Sequence, residues 1–298
     1  MENSGLLTFQ VLIACLALAC QGAVHVAASD TNSAASLRAE YAALRAQIGD
    51  NNFQRPFHLV STQSQNRLEG DLYALVDHPF AAVSAALGVP ANWCEVLILH
   101  INTKYCRASS DEPATVLAVR IGGKSDQTLD SAYLLELSTR VAAATPDYLQ
   151  VQLNADEGPL ATSDYRIVLK AVSVEGGRSF LHLSYSYSYG LAGRLALQAY
   201  LATTGRGKVG FTVTGRQSNG EPEYIGNVRG LVERNTMRYY LAIEAYLGAL
   251  ATPAPAQLEK RLRSWFAATE KFPRQLREVD GAAYLEMKRR EHLRQQIW

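Results

Sequence analysis

Gly70 to Cys106, GDLYALVDHPFAAVSAALGVPANWCEVLILHINTKYC, decides how the rest of the chain is read. Tyr73, Leu75 and the polar partners between them fit a half-buried strand. His78-Pro79 ends that strand, because proline brings no N–H to a sheet ladder. Proline also suits the first turn of a helix. The apolar spacing predicts a helix over Phe80 to Leu87, stopped by Gly88 and Pro90. A second short helix is expected over Pro90 to Glu95. The apolar run that follows reads as a strand from Leu97 to Tyr105. Strand, two short helices and strand form one unit.

Working upstream, Phe57 to Val76 alternates twice, giving two strands or one long strand bulged at Gly70. Leu37, Tyr41, Leu44 and Ile48 have helical spacing, so Ser29 to Gly49 reads as a short amphipathic helix. Residues 1–28 read as an export signal. Leu6 to Ala19 is an apolar run of signal-peptide length, too short for the roughly 20 residues that span a bilayer. Ala17-Leu18-Ala19 and Val26-Ala27-Ala28 offer small-x-small cleavage patterns, although MENSG carries no basic residue. Leu12-Ile13-Ala14-Cys15 resembles a lipobox, and Ala19-Cys20 is a poorer second one. Two small residues of an apolar leader explain them as well. The protein is therefore expected to be exported, periplasmic or secreted, with a lipid anchor as a variant of that reading.

In an oxidising compartment the remaining cysteines, Cys94 and Cys106, are expected to form a disulfide. The alternative is a pair of buried thiols. No metal site is expected, since His100 alone lies between them.

Downstream, strands are expected at Thr115 to Ile121, Tyr133 to Val141 and Tyr148 to Asn154. Tyr165 to Val174, Glu175-Gly176-Gly177 and Ser179 to Tyr189 give a hairpin signal. Leu181, Leu183, Tyr185, Tyr187 and Tyr189 share one face of its second strand. His182, Ser184, Ser186 and Ser188 share the other. Gly193 to Thr203 reads as a helix, Lys208 to Gly215 as a strand, and Glu223 to Val228 as another or its continuation. Met237, Tyr240, Ile243, Leu247 and Leu250 put one apolar stripe on a long helix from Arg229 to Leu250. Thr252-Pro253-Ala254-Pro255 breaks it and would act as a short stiff linker. Helices are then expected over Gln257 to Ala268 and Val279 to Ile297.

This order of elements, α+β overall, resembles the helix-grip fold of the START and polyketide-cyclase-like superfamily, in an exported bacterial form. The likeness runs from about Pro56 to Leu250. It is carried by Gly70 to Phe80, by Pro90 and Trp93, by Ile98 to Cys106, by the hairpin from Arg166 to Tyr189, and by Arg229 to Leu250. It implies a curved antiparallel sheet wrapped around the long helix, with a cavity between them for a sterol, phospholipid, fatty acid, polyketide or other apolar molecule. The chain departs from the pattern by a helix near Leu191 to Thr204, by its export signal and by its helical tail. The expected organisation is a signal peptide (1–28), an N-terminal helical segment (29–55), a helix-grip domain (56–252) and a basic helical tail (253–298).

Candidate ligand residues follow. Tyr185, Tyr187 and Tyr189 would line the cavity with ring area and hydroxyls, or pack as ordinary core against Tyr240 or Ile243. His100, Asn102 and Lys104 alternate on the expected strand. With His182 they would form a polar patch in the cavity, or else a solvent face. Arg216, Arg229, Arg234 and Arg238 surround the start of the long helix. Arg234 and Arg238 would grip a carboxylate or phosphate, or pair with Glu233 or Glu223.

The chain carries a net charge of +1, which implies no nucleic-acid partner. Ala256 to Trp298 holds ten Lys/Arg against six Asp/Glu, so peripheral contact of this basic tail with an anionic membrane is a further expectation. No G-x-S-x-G, H-E-x-x-H or P-loop is present. Asp77-His78 are neighbours on a strand and point to opposite faces. No catalytic residue and no cofactor is assigned. The expected function is an exported binding protein for an apolar small molecule or lipid. The alternatives are a cyclase- or hydrolase-type enzyme using the same cavity, or an envelope interaction module.

Overall fold

The computed structural model describes residues 33–109, 115–203 and 205–297. The expected signal peptide, its cleavage sites, Cys15 and Cys20 lie outside the described residues.

Helix α1 (Ala34–Gly49) starts at Ser33, whose hydroxyl accepts the Ser36 N–H at 3.1 Å, the usual N-cap bond. Strands β1 (Phe57–Gln63) and β2 (Arg67–Val76) form a hairpin in unbroken register, so Gly70 is not a bulge. Its lack of a side chain serves a close approach instead. A Cβ there would lie 2.4 Å from Thr236 Oγ1 on the long helix.

Pro79 turns the chain into α2 (Phe80–Leu87), and α3 (Asn92–Leu97) follows at once. The Trp93 indole donates to Leu87 O at 3.0 Å and locks the two together. The expected strand from Leu97 is a correction: β3 runs only over Thr103–Ser109. Residues 98–102 are a tight turn, closed by Leu99 N–H to Val96 O (3.2 Å), His100 N–H to Leu97 O (3.1 Å) and Thr103 N–H to His100 O (3.0 Å). Periodicity could not separate these cases, because Leu97, Ile98, Leu99 and Ile101 are all buried whichever way the backbone turns.

Strands β4 (Thr115–Ile121), β5 (Tyr133–Ala144), β6 (Tyr148–Gly158), β7 (Thr162–Val174) and β8 (Arg178–Tyr189) complete one antiparallel sheet of order β1-β2-β8-β7-β6-β5-β4-β3. The sheet is open, with β1 and β3 as its edges. Helix α4 (Leu191–Ala202) follows β8. The expected strand from Lys208 shrinks to β9 (Val213–Arg216), which pairs with β10 (Pro222–Tyr224) in a separate ribbon. The reason is local: the N–H groups of Phe211 and Thr212 donate to Glu233 (2.6 and 2.9 Å) rather than to a ladder.

The long helix α5 (Asn227–Leu247) lies in the sheet's concave face. Val232, Met237, Leu241 and Ile243 share a core with Leu72, Leu153, Leu169 and Leu183. The opposite face of the sheet is covered by α1, where Leu37, Tyr41 and Ile48 pack on Val172 and Phe180. Pro253 and Pro255 start the next helix rather than a linker, since a first-turn proline loses no hydrogen bond. Helices α6 (Ala254–Thr269), α7 (Pro273–Leu276) and α8 (Gly281–Ile297) complete the chain, and Trp265, Phe272, Leu276, Tyr284 and Met287 join the main core. Cys94 and Cys106 are joined as a disulfide, Cα to Cα 5.2 Å, tying α3 to β3. Among the described residues no helix is long and apolar enough to cross a membrane.

Candidate functional site: a tyrosine-lined cavity

Helix α5 does not fill the trough of the sheet. Toward β4–β8 the two separate, and α4 folds over the gap. A cavity of about 240 Å³ remains. Its floor is Leu135, Tyr165, Tyr185 and Tyr187 of the sheet. Leu231, Asn235, Arg238 and Tyr239 of α5 form one wall. Ala196, Leu197 and Tyr200 of α4 form the cover, and His100, Asn102 and Lys124 come from the turns beside β3 and β4.

The rings form a continuous chain. Tyr165 stacks on Tyr187 (5.3 Å between centroids), Tyr187 touches Tyr185 (5.7 Å), Tyr185 touches Tyr239 (5.2 Å), and Tyr239 stacks on His100 (4.8 Å). Burial raises the hydroxyl pKa of Tyr185, Tyr187 and Tyr239, so each stays a protonated donor at neutral pH. Leu160, also in the lining, is apolar and 56% accessible.

His100 is 4% exposed. Its Nδ1 accepts the Asn102 N–H at 3.2 Å, so the neutral ring carries its proton on Nε2. That Nε2 is buried without a hydrogen-bond partner. Burial, and then the charges of Arg238, Lys288, Lys104 and Lys124, hold His100 well below the usual histidine range. It is a neutral donor, not a cation. Asn102 Nδ2 donates to Gly122 O at 2.7 Å and fixes the turn that presents both residues.

Beside the cavity, Glu278 bridges three cations: Arg238 Nη2 at 2.7 Å, Lys124 Nζ at 2.7 Å and Lys208 Nζ at 3.6 Å. Arg234, one turn earlier on α5, is fully buried, and among the described residues its one hydrogen bond is to Val209 O at 3.4 Å. Its Nε and Nη2 have no partner.

Sequence and structure differ on several candidates. Tyr185, Tyr187, His100 and Asn102 are brought together at the cavity, the last two by a turn and not by strand alternation. Lys104 is not on a solvent face: it is fully buried and bonds Glu291 at 3.0 Å. Tyr189 is buried under α4 and accepts from Gln63 Nε2 at 3.4 Å, outside the cavity lining. His182 is placed away from the patch it was expected to join. It sits on the sheet's opposite face, stacked on Tyr73 (4.3 Å) and bonded to Asp71 (2.8 Å), because the strand's two-residue period separates it from Tyr185. Tyr240 also faces away, its hydroxyl donating to Glu244 at 2.8 Å. Glu233 pairs with neither Arg234 nor Arg238. It accepts from Ser61 Oγ at 2.6 Å and from the Phe211–Thr212 backbone, and Arg229 donates to Ser61 O at 2.6 Å.

The apolar stripe of α5 hid a second, half-buried face that lines the cavity. Leu231, Asn235, Arg238 and Tyr239 recur at four, seven and eight residues, a legible helical face with the wrong polarity for a core. Tyr165, Lys124 and Glu278 gave no such signal.

No family model and no curated protein sequence matches the chain. Solved structures with a partial likeness include human StAR-related lipid transfer protein 5 (9% identity, 58% of this chain and 90% of that one, TM-score 0.31). Truncated norcoclaurine synthase from Thalictrum flavum is similar over 50% of this chain and 85% of that one (13% identity, TM-score 0.31). The di-domain ARO/CYC BexL from the BE-7585A biosynthetic pathway is similar over 76% of this chain and 56% of that one (14% identity, TM-score 0.31). At these scores what those proteins bind or make stays with them. By its own strand order, its helix pair between β2 and β3 and its gripped helix α5, the chain has a helix-grip fold, an open antiparallel sheet curved around one long helix.

Proposed function

We infer that this is an exported protein that holds an apolar small molecule or lipid between the sheet and α5. The observation that carries the reading is the tyrosine-floored cavity closed over by α4, with one unpartnered donor, His100 Nε2, among its lining residues. An enclosed apolar space with a few oriented polar groups is the usual form of a small-molecule site. A ligand burying roughly 400 Å² of apolar surface there gains about 10 kcal/mol before ordering costs. The leader-like N-terminus and the Cys94–Cys106 bridge support export, since disulfides persist in oxidising compartments. Membrane contact through the tail is a lesser part of the reading. Several tail cations already face acids, as in Arg289–Glu259, Arg290–Asp126 and Arg294–Asp126.

Titration with Nile red, a neutral apolar dye, tests the reading beside the cavity-filling variant Ala196→Trp. One-to-one binding by the native protein, weakened at least about 10-fold in a variant of unchanged unfolding midpoint, is expected. Equal binding by both places the dye elsewhere and overturns the reading.

A further inference from the structure

The side of the cavity formed by α5 carries more positive charge than the protein neutralises. Arg234, Arg238, Lys124 and Lys208 cluster there, and among the described residues Glu278 is the only carboxylate within ion-pair distance of any of them. Arg234 and Arg238 are 0% and 2% exposed, so water does not screen them. Three guanidinium nitrogens, Arg234 Nε, Arg234 Nη2 and Arg238 Nε, are buried without partners. The charge of Arg234 is felt by Arg238, by Lys208 and by the cavity-lining Tyr187. A buried unpaired charge is among the costliest features a fold can carry. Elsewhere this chain avoids it: Lys104 and Lys288, also fully buried, share Glu291 at 3.0 and 2.5 Å.

We propose that the cavity takes an amphiphile with an anionic head group, a carboxylate or phosphate. The head sits against Arg238 and Lys124 with Arg234 behind them, and the tail lies among Tyr165, Tyr185 and Tyr187. A planar guanidinium is suited to such heads, because its N–H fork matches two acceptor oxygens. His100 Nε2–H adds a neutral donor on the adjoining wall. The volume, about 240 Å³, falls below the ~300–1,000 Å³ of usual ligand cavities, so the tail is a single chain or a small ring system rather than a two-chain lipid.

This rests on the cavity reading, and the test separates the two. The purified full chain is titrated calorimetrically with decanoate, decyl phosphate and decanol. Decanoate or decyl phosphate should bind at least about 10-fold tighter than decanol, and the tighter of the two assigns the head group. Arg234→Met, checked for folding by circular dichroism, should lose most of that preference. Glu278→Gln frees Arg238 and Lys124 and should increase it several-fold. Decanol binding as tightly as the anions overturns the anionic head while leaving the apolar site standing. An undiminished preference in folded Arg234→Met, or a reduced one in Glu278→Gln, also overturns it. Binding by none of the three overturns the cavity reading itself.

Discussion

Glu233 and Arg234 are neighbours on α5, both fully buried, and they are treated in opposite ways. Glu233 accepts from Ser61 Oγ (2.6 Å), Thr212 Oγ1 (2.7 Å), Phe211 N–H (2.6 Å) and Thr212 N–H (2.9 Å), which fills its lone pairs. Arg234 has one weak bond and two idle nitrogens. The first arrangement pins a connecting segment to the helix and to β1. The second leaves binding capacity unused beside a cavity. A buried charge that is fully met by the protein is architecture; one left unmet in an otherwise well-satisfied core marks a place kept for something else.

That contrast can be broken by mutation. The largest effect should come from the closed networks. Glu233→Leu strands four donors, and Glu291→Leu leaves Lys104 and Lys288 buried together. Each should cost about 3–5 kcal/mol in urea unfolding. A loss below about 1 kcal/mol for either would show that these networks do not hold the fold. Gly70→Ala should cost about 1–3 kcal/mol by overpacking, because its Cβ would press on Thr236 Oγ1, and adding Thr236→Ala should restore part of it. No rescue in the double variant would place the strain elsewhere.

Arg234→Met should go the other way in ligand-free protein. Replacing a buried unpaired guanidinium by an apolar chain is expected to be neutral or stabilising by up to about 2 kcal/mol. Clear destabilisation would mean that Arg234 is part of the architecture after all. The smallest effect is a pH slope. Burial holds the folded His100 pKa below its unfolded value of 6.5, so the unfolded chain takes up the proton first. Its share of stability is present above pH 6.5 and is lost as pH falls toward the folded pKa, with a slope of up to about 1.4 kcal/mol per pH unit. His100→Phe should flatten the pH profile of unfolding free energy between pH 6.5 and 5, so that the native-minus-variant difference falls as pH falls. If native and variant keep parallel profiles there, His100 is not held neutral by burial.

Much of the frame was legible in the chain. Alternation in LHLSYSYSYG and the Glu175-Gly176-Gly177 turn located the β7–β8 hairpin, because strand period and turn chemistry agree there. Pro79 and Gly88 bounded α2 for the same reason. The site was legible only in part. LILHI is apolar at every second and every third position alike, so a turn passed for a strand and His100 was read on the wrong scaffold. His182 was read into a patch that its own alternation with Tyr185 denies. Glu278 lies 40 residues beyond Arg238, its partner across the fold, and no local pattern could join them. Nor does sequence say which buried charge finds partners. Glu233 and Arg234 look equally suited to a salt bridge until the Phe211–Thr212 backbone is in place.

Native mass spectrometry of the protein purified under non-denaturing conditions from its own source tests the central claim most directly, with bound molecules released and identified. The expected result is one dominant single-chain or small-ring anion at about one per chain, absent from Ala196→Trp purified alongside. A folded protein that carries no small molecule, or the same molecule retained by the filled variant, would contradict a ligand held between the sheet and α5.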